Sequence, residues 1–347
     1  MNTKVWKVDN YVDKLESNPQ IVDAARFLQD NEVVAMPTET VYGLAGNAES
    51  DAAVSKIYEA KGRPGDNPLI IHIAEKQQLE PFVLEVPEKA EALMDAFWPG
   101  PLTIIFKKKQ GALSKTATAG LDTVAVRMPN HPVALALLKR CGLPIAAPSA
   151  NSSGKPSPTT AQHVLDDLQG KIAGVLDGGA TGVGVESTVI DCTERIPVIL
   201  RPGGVTKEQL EAVVGEVWVD RALTDEHEKP KAPGMKYTHY APNAPLYLVS
   251  GTRSFIQRLV DEKQQAGLRV GILTTEEHKE EFAADFVLAC GKRAELETIA
   301  AALYDTLRRF NQMEVDIIYS EMFPTEGVGH AIMNRLQKAA GNKIITQ

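Results

Sequence analysis

Cysteine is scarce. Cys141, Cys192 and Cys290 lie far apart and none belongs to a CxxC pair. That spacing makes a disulfide framework and a thiolate zinc site weak readings, and a reducing, cytoplasmic setting is expected. Aromatic residues are 6% of the chain. No run approaches the ~20 apolar residues of a membrane span, so no membrane partner is expected. Positive charge is not in excess: 37 Lys and Arg against 45 Asp and Glu leave a net −8. A dedicated nucleic-acid binder would usually be basic, so only a local basic cleft is left open. Residues 1–10 carry charges and no apolar stretch, which argues against a secretory signal. GxGxxG, GxxxxGK[ST], DxD and HxxH motifs are missing, as is any internal repeat.

What is present reads as α/β. At 347 residues the chain is long enough for two domains, and 44% hydrophobic residues support ordinary buried cores. Asn18-Pro19 reads as an N-cap followed by Pro at the first helical position, with Ile21, Ala24, Ala25 and Leu28 on one face. A strand over 32–36 ends in the loop Pro37-Thr38-Glu39-Thr40. Ser50 caps a second helix carrying Val54, Ile57 and Tyr58, and its end delivers Lys61. Strands are expected at 69–73, 102–106, 123–128, 144–147, 174–177, 187–191 and 198–201, with helices at 132–140 and 207–214. From 246 onward, strands at 246–249, 268–273, 285–288 and 315–319 alternate with helices at 253–265, 294–310 and 330–340. That alternation with short loops predicts a parallel, doubly wound sheet. Residues 218–242 break the pattern. Plain linkers are poor in aromatics, yet Tyr237, His239 and Tyr240 fall within four residues, so this linker is expected to dock on something. The resulting division is 1–215, a linker or lid over 216–244, and 245–347.

Two segments carry the chemistry. Lys61-Gly62-Arg63-Pro64-Gly65-Asp66-Asn67-Pro68-Leu69 and Ala147-Pro148-Ser149-Ala150-Asn151-Ser152-Ser153-Gly154-Lys155-Pro156-Ser157 each combine cations, hydroxyls, an amide, Gly and Pro. Neither has a helical or strand period, so neither fills a core. Guanidinium forks and short donors on loops match phosphate and carboxylate oxygens. Each feature has a plainer reading: Lys61 and Arg63 suit a helix C-terminus through the dipole, Thr38 to Thr40 suit a turn, and His72 suits a packed strand. Arg127 could pair with a surface acid, and Ser187-Thr188 could be ordinary strand residues. Their convergence at the strand ends of one α/β domain favours a site.

With those residues in view, a family resemblance is plain. Pro37-Thr38-Glu39-Thr40-Val41-Tyr42-Gly43-Leu44, Lys61-x-Arg63-Pro64, Asn67-Pro68-Leu69, Ser149-x-Asn151, Ser187-Thr188-Val189-Ile190-Asp191, Arg201-Pro202-Gly203 and Pro233-Gly234-Met235-x-Tyr237-x-His239-Tyr240-Ala241-Pro242 resemble the L-threonylcarbamoyladenylate synthase family, YrdC-type, in its long form. The match spans the whole chain. It implies a YrdC-like twisted mixed sheet with helices, followed by a smaller Rossmann-like α/β domain. It also implies a nucleotidyltransferase: L-threonine, bicarbonate and ATP give threonylcarbamoyl-AMP and pyrophosphate. A separate transferase complex then passes the group to the adenosine beside the anticodon of certain tRNAs.

Carried onto this chain, the resemblance makes Lys61 and Arg63 catalytic. It assigns ATP binding to Arg63, Asn67, Thr123, Ser149, Asn151, Ser157, Arg201 and Tyr240, and threonine binding to Thr40, His72, Arg127, Ala147 and Ser187. Magnesium is expected to arrive with ATP, held mainly by its phosphates, with no protein metal site and no organic cofactor. A weak direct contact with tRNA is left open. Two rival classes are a non-catalytic RNA-binding module, disfavoured by the acidic balance, and another carbamoyl-activating enzyme, disfavoured by the missing zinc and acylphosphatase-like segments.

Overall fold

The computed structural model describes residues 2–9, 14–220 and 239–347. These form two compact units. The first holds residues up to Ser153, Pro158–Gly182 and Glu186 onward; the second holds Gly154–Ser157, Val183–Val185 and the C-terminal part of the chain.

In the first unit the strands are β1 (Lys4–Lys7), β2 (Val34–Met36), β3 (Gly43–Asn47), β4 (Ile70–His72), β5 (Leu102–Lys107), β6 (Thr123–Arg127), β7 (Ile145–Ala146), β8 (Gly174–Asp177), β9 (Thr188–Asp191), β10 (Val198–Arg201) and β11 (Trp218–Val219). The helices are α1 (Pro19–Gln29), α2 (Asp51–Lys61), α3 (Glu88–Phe97), α4 (Pro132–Cys141), α5 (Ala161–Leu168) and α6 (Lys207–Val214). The strands make one mixed sheet in the order β1-β8-β2-β3-β7-β4-β6-β5-β9-β10-β11. Its middle is buried on both faces. Ala35 of β2 and Val33 just before it enter one apolar cluster, while Val34 and Met36 enter the other with the α1 face Ile21, Ala24, Ala25 and Leu28.

Local chemistry explains these elements. Asn18 accepts a bond from Gln20 N–H with Pro19 in the first turn of α1, and Ser50 accepts from Ala53 N–H at the start of α2. Each cap satisfies a donor that the helix itself cannot pair. Gly62, at φ 63°, ends α2 in the left-handed region that glycine adopts without a Cβ penalty. Several elements fall outside the sequence expectation: β1, β3, α3, α5, β11 and a short C-terminal strand. The instructive case is β3, whose Gly-Leu-Ala-Gly-Asn has poor strand propensity. Tertiary packing chooses it: a Cβ on Gly46 would lie 2.9 Å from Ile57.

The second unit contains β12 (Leu246–Ser250), α7 (Arg253–Gln265), β13 (Val270–Thr274), β14 (Phe286–Ala289), α8 (Leu296–Phe310), β15 (Ile317–Glu321), α9 (Gly329–Ala339) and β16 (Ile344–Thr346). Its five strands run parallel in the order β14-β13-β15-β12-β16, the doubly wound arrangement expected from the alternation. Among the described residues no helix is long and apolar enough to cross a membrane.

Candidate active site

Strand register assembles the first group of polar residues. His72 pairs with Arg127 across β4 and β6, and Arg127 pairs with Thr103 across β6 and β5. Directly paired residues share a face, so these three residues, distant in sequence, stand in one row. The same face carries the apolar floor of Ile70, Ile105, Ala125 and Val189.

Hydrogen bonds extend the row. Arg127 donates to Thr40 Oγ1 at 2.9 Å and to the Gly100 carbonyl at 3.3 Å, and its Nη2 lies 2.7 Å from the Glu39 carboxylate. Thr40 and Thr38 hydroxyls lie 2.9 Å apart, and Thr38 donates to the Val41 carbonyl. Ser187 and Thr103 hydroxyls are 2.7 Å apart. Arg201 donates from Nε and Nη2 to the Ser187 carbonyl and from Nη2 to its hydroxyl.

His72 donates from Nδ1 to the Ile70 carbonyl at 3.2 Å, which leaves Nε2 as the acceptor. Burial, reinforced by the Arg127 charge, lowers its pKa to about 3. It is therefore a neutral polar wall at ordinary pH and not a switch. The Ile70 carbonyl also accepts from Ala147 N–H at 3.0 Å, which fixes Ala147 beside this strand.

A second group gathers where the two long motifs meet. Gly43 and Ser149 form a bridge, Leu44 N–H bonds the Pro148 carbonyl at 2.7 Å, and Ala150 N–H bonds the Tyr42 carbonyl at 2.8 Å. Lys61, the last residue of α2, reaches across and donates from Nζ to the carbonyls of Ser149 and Asn151, the latter at 2.8 Å. The residue is 4% exposed. Burial first, and the Arg63 charge second, lower its pKa to about 7, against the opposing pull of Asp167 and Glu186. Asp167 also accepts from Ser152 N–H, which ties the Ser149 loop to α5.

The remaining expected residues are placed differently. Asn67 is buried, with its carbonyl accepting from the Tyr58 hydroxyl at 2.7 Å. Thr123 opens β6, opposite Lys107, four residues or about 13 Å along the strand from Arg127. Ser157 and Tyr240 belong to the second unit.

Sequence reading left four partners out of the site. Glu39 looked like a turn former, yet it is the counter-ion of Arg127. Thr103, the one hydroxyl in an apolar strand, positions Ser187. Glu186 and Asp167 act on Lys61 through their charges. Only the position of Glu39, between two hydroxyl residues of a motif, could have flagged it beforehand.

Residues 26–203 match the family model described as telomere recombination, which spans Sua5, YciO and YrdC, and residues 205–341 match that of the threonylcarbamoyl-AMP synthase C-terminal domain. A Bacillus subtilis protein named threonylcarbamoyl-AMP synthase is 62% identical over 99% of this chain and 100% of its own. The chain belongs to the threonylcarbamoyl-AMP synthase family. It has the long form, with the C-terminal domain, and with membership it is an enzyme of the nucleotidyltransferase class. Another relative of that name, from Pyrococcus abyssi, is 49% identical over 93% of this chain and 94% of its own. The crystal structure of P. abyssi Sua5 complexed with L-threonine superposes with a TM-score of 0.92 and 46% identity, covering 99% of this chain and 100% of that one.

Proposed function

We propose that the chain makes threonylcarbamoyl-AMP and pyrophosphate from L-threonine, bicarbonate and ATP, for later transfer to tRNA adenosine by a separate complex. The observation that supports this reading most is the buried row of His72, Arg127, Thr103 and Ser187, a wall of fixed donors and acceptors in a chain of this family. Arg127 would take the threonine carboxylate on its fork, sharing it with Glu39. Thr40, neutral His72 and Ser187 would meet the hydroxyl and the carbamate, with Ala147 closing the wall. Valine would leave those groups unpaired, which is how such a pocket rejects an isostere.

The bond-making step is attack of an N-carboxylate oxygen of threonine on the α-phosphorus of ATP, with pyrophosphate leaving. That step needs alignment and charge neutralisation more than a protein nucleophile. Lys61 and Arg63 would neutralise the triphosphate, Arg201 would take a phosphate or carbamate oxygen, and Asn67, Thr123, Ser149, Asn151, Ser157 and Tyr240 would hold the nucleotide. The cationic lining suits a magnesium ion carried on the ATP phosphates rather than one caged by carboxylates.

Mass spectrometry of the purified protein with ATP, bicarbonate and threonine tests the reading. The expected product is threonylcarbamoyl-AMP, formed only when all three are present. Binding of RNA without any pyrophosphate release would replace this reading by the binding-module one.

A further inference from the structure

Helix α8 touches three chain segments of its own unit at regular intervals. At its first contact, Gly184 sits at φ 79°, and a Cβ there would lie 2.4 Å from both the Ala300 carbonyl oxygen and the Ala301 Cα. Four residues on, Tyr304 is fully buried and stacks on Tyr240, with ring centroids 5.2 Å apart and planes at 31°. Four residues further, Arg308 donates from Nη2 to the Pro156 carbonyl at 2.6 Å. Positions 300, 304 and 308 follow the i±4 ridge of a helix, about 12 Å from end to end.

Each contacted segment borders or contains a residue of the proposed site. Residues 183–185 run directly into Glu186 and Ser187, Pro156 precedes Ser157, and Tyr240 is itself the nucleotide-facing residue proposed above. The segments are also tied to one another and to α9: Ala241 N–H bonds the Gly154 carbonyl at 3.0 Å, and the Arg335 guanidinium lies 5.7 Å from the Tyr240 ring centroid. Tyr240 is held at φ 66°, a backbone conformation a tyrosine rarely adopts unless its surroundings impose it. A helix that needed only to fill this unit's core would not bury a guanidinium on a loop carbonyl, because burial of a cation is costly without such a partner.

We propose that this ridge is a positioning element for the reaction, with Tyr304 and Arg308 as positioning residues and Gly184 as the seat of the third segment. The ridge sets the segment before Ser187 at one end, the segment before Ser157 at the other, and Tyr240 between them. In this inference helices α8 and α9 contribute by holding loops and not by touching a substrate themselves. The assignment of those three residues to substrates rests on the proposed function.

The test compares Arg308→Leu, Arg308→Lys, Gly184→Ala and, as a control, the exposed neighbour Arg309→Leu, all in the full chain. Steady-state pyrophosphate release is measured against ATP and against threonine, with amide hydrogen exchange recorded for each variant. Arg308→Leu should raise the KM for ATP about ten-fold, the loss expected for one charged hydrogen bond, and leave that for threonine within about two-fold. Arg308→Lys, which can still donate to the carbonyl, should recover most of the loss. Gly184→Ala should instead raise the KM for threonine, and Arg309→Leu should change neither. Exchange at Gly154, Lys155 and Ser157 should quicken in Arg308→Leu and not in Arg309→Leu. Unchanged exchange there, or equal rises in both KM values, would overturn the proposal. An unaltered chain that releases no pyrophosphate with threonine and bicarbonate sinks the functional reading instead, and the exchange comparison still decides whether the ridge holds the loops.

Discussion

At the scale of single residues, the site is governed by how buried charges are paired. Arg127 is 4% exposed and depends on Glu39 for its counter-charge. Replacing Glu39 with alanine leaves a guanidinium buried without it, and breaking such a pair typically costs about 3–5 kcal/mol. Denaturant unfolding of Glu39→Ala should show a loss of that order, and a midpoint equal to the unaltered chain's would refute the pairing. His72 adds to the acid sensitivity of stability. Its folded pKa, about 3, lies below the ordinary histidine value of 6.5. Between those values the unfolded chain binds a proton at His72 that the folded one does not, so the contribution of His72 is full above pH 6.5 and is lost as pH falls toward 3. His72→Gln keeps a donor for the Ile70 carbonyl and cannot protonate. Its unfolding midpoint should therefore fall less steeply over that range, and parallel curves would remove His72 from the account. Lys61 lies at the junction of the two motifs. Lys61→Ala should cut kcat/KM for pyrophosphate release by 100-fold or more, the usual effect of removing a group that stabilises transition-state charge. Near-normal turnover would take this ammonium out of the reaction.

At the scale of elements, turns and registers place what the residues do. The Arg201-Pro202-Gly203 turn brings Arg201 onto Ser187, and the turn closes only because position 203 has no side chain. A Cβ there would lie 2.3 Å from Thr188 N and 2.4 Å from the Glu186 carbonyl oxygen. Backbone at that distance cannot give way cheaply. Gly203→Ala should therefore push β10 off β9, separate Arg201 from Ser187 and lower threonine-dependent turnover about ten-fold or more, with a reduced melting temperature. Unaltered kinetics in a folded Gly203→Ala protein would show that Arg201 does not act through Ser187. Thr188 strengthens the same corner, since its hydroxyl both donates to the Val205 carbonyl and accepts from Val205 N–H. Helix ends were readable in advance because caps are local chemistry: Asn18-Pro19 and Ser50 each stand where an N–H must be satisfied. The strand β3 was not readable, because its two glycines are selected by Ile57 and by the close approach of Ala147.

At the scale of the whole molecule, the question is what the C-terminal part adds. Cutting the chain after Gly204 removes Tyr240 and α8, together with Val205, α6 and β11 of the first unit. The truncated protein should lose the ability to form and retain threonylcarbamoyl-AMP, the outcome expected if the removed part, as proposed, shields a labile anhydride from water. Equal yield and retention, measured by mass spectrometry over time, would make that part dispensable for catalysis. The expected linker or lid over 216–244 falls mostly outside the described residues, with 216–220 and 239–244 within them. Sequence alone determined the α/β class, the parallel C-terminal sheet and most helix boundaries, because periodicity, capping and loop composition are local properties. Only the tertiary structure decided that Glu39 faces Arg127, that Thr103 holds Ser187, that Lys61 bridges two carbonyls 88 and 90 residues away, and that Ala300, Tyr304 and Arg308 share one ridge against three segments. Those partners are set by strand order and register, which depend on how distant apolar faces pack together and leave no mark in the residues next to each one.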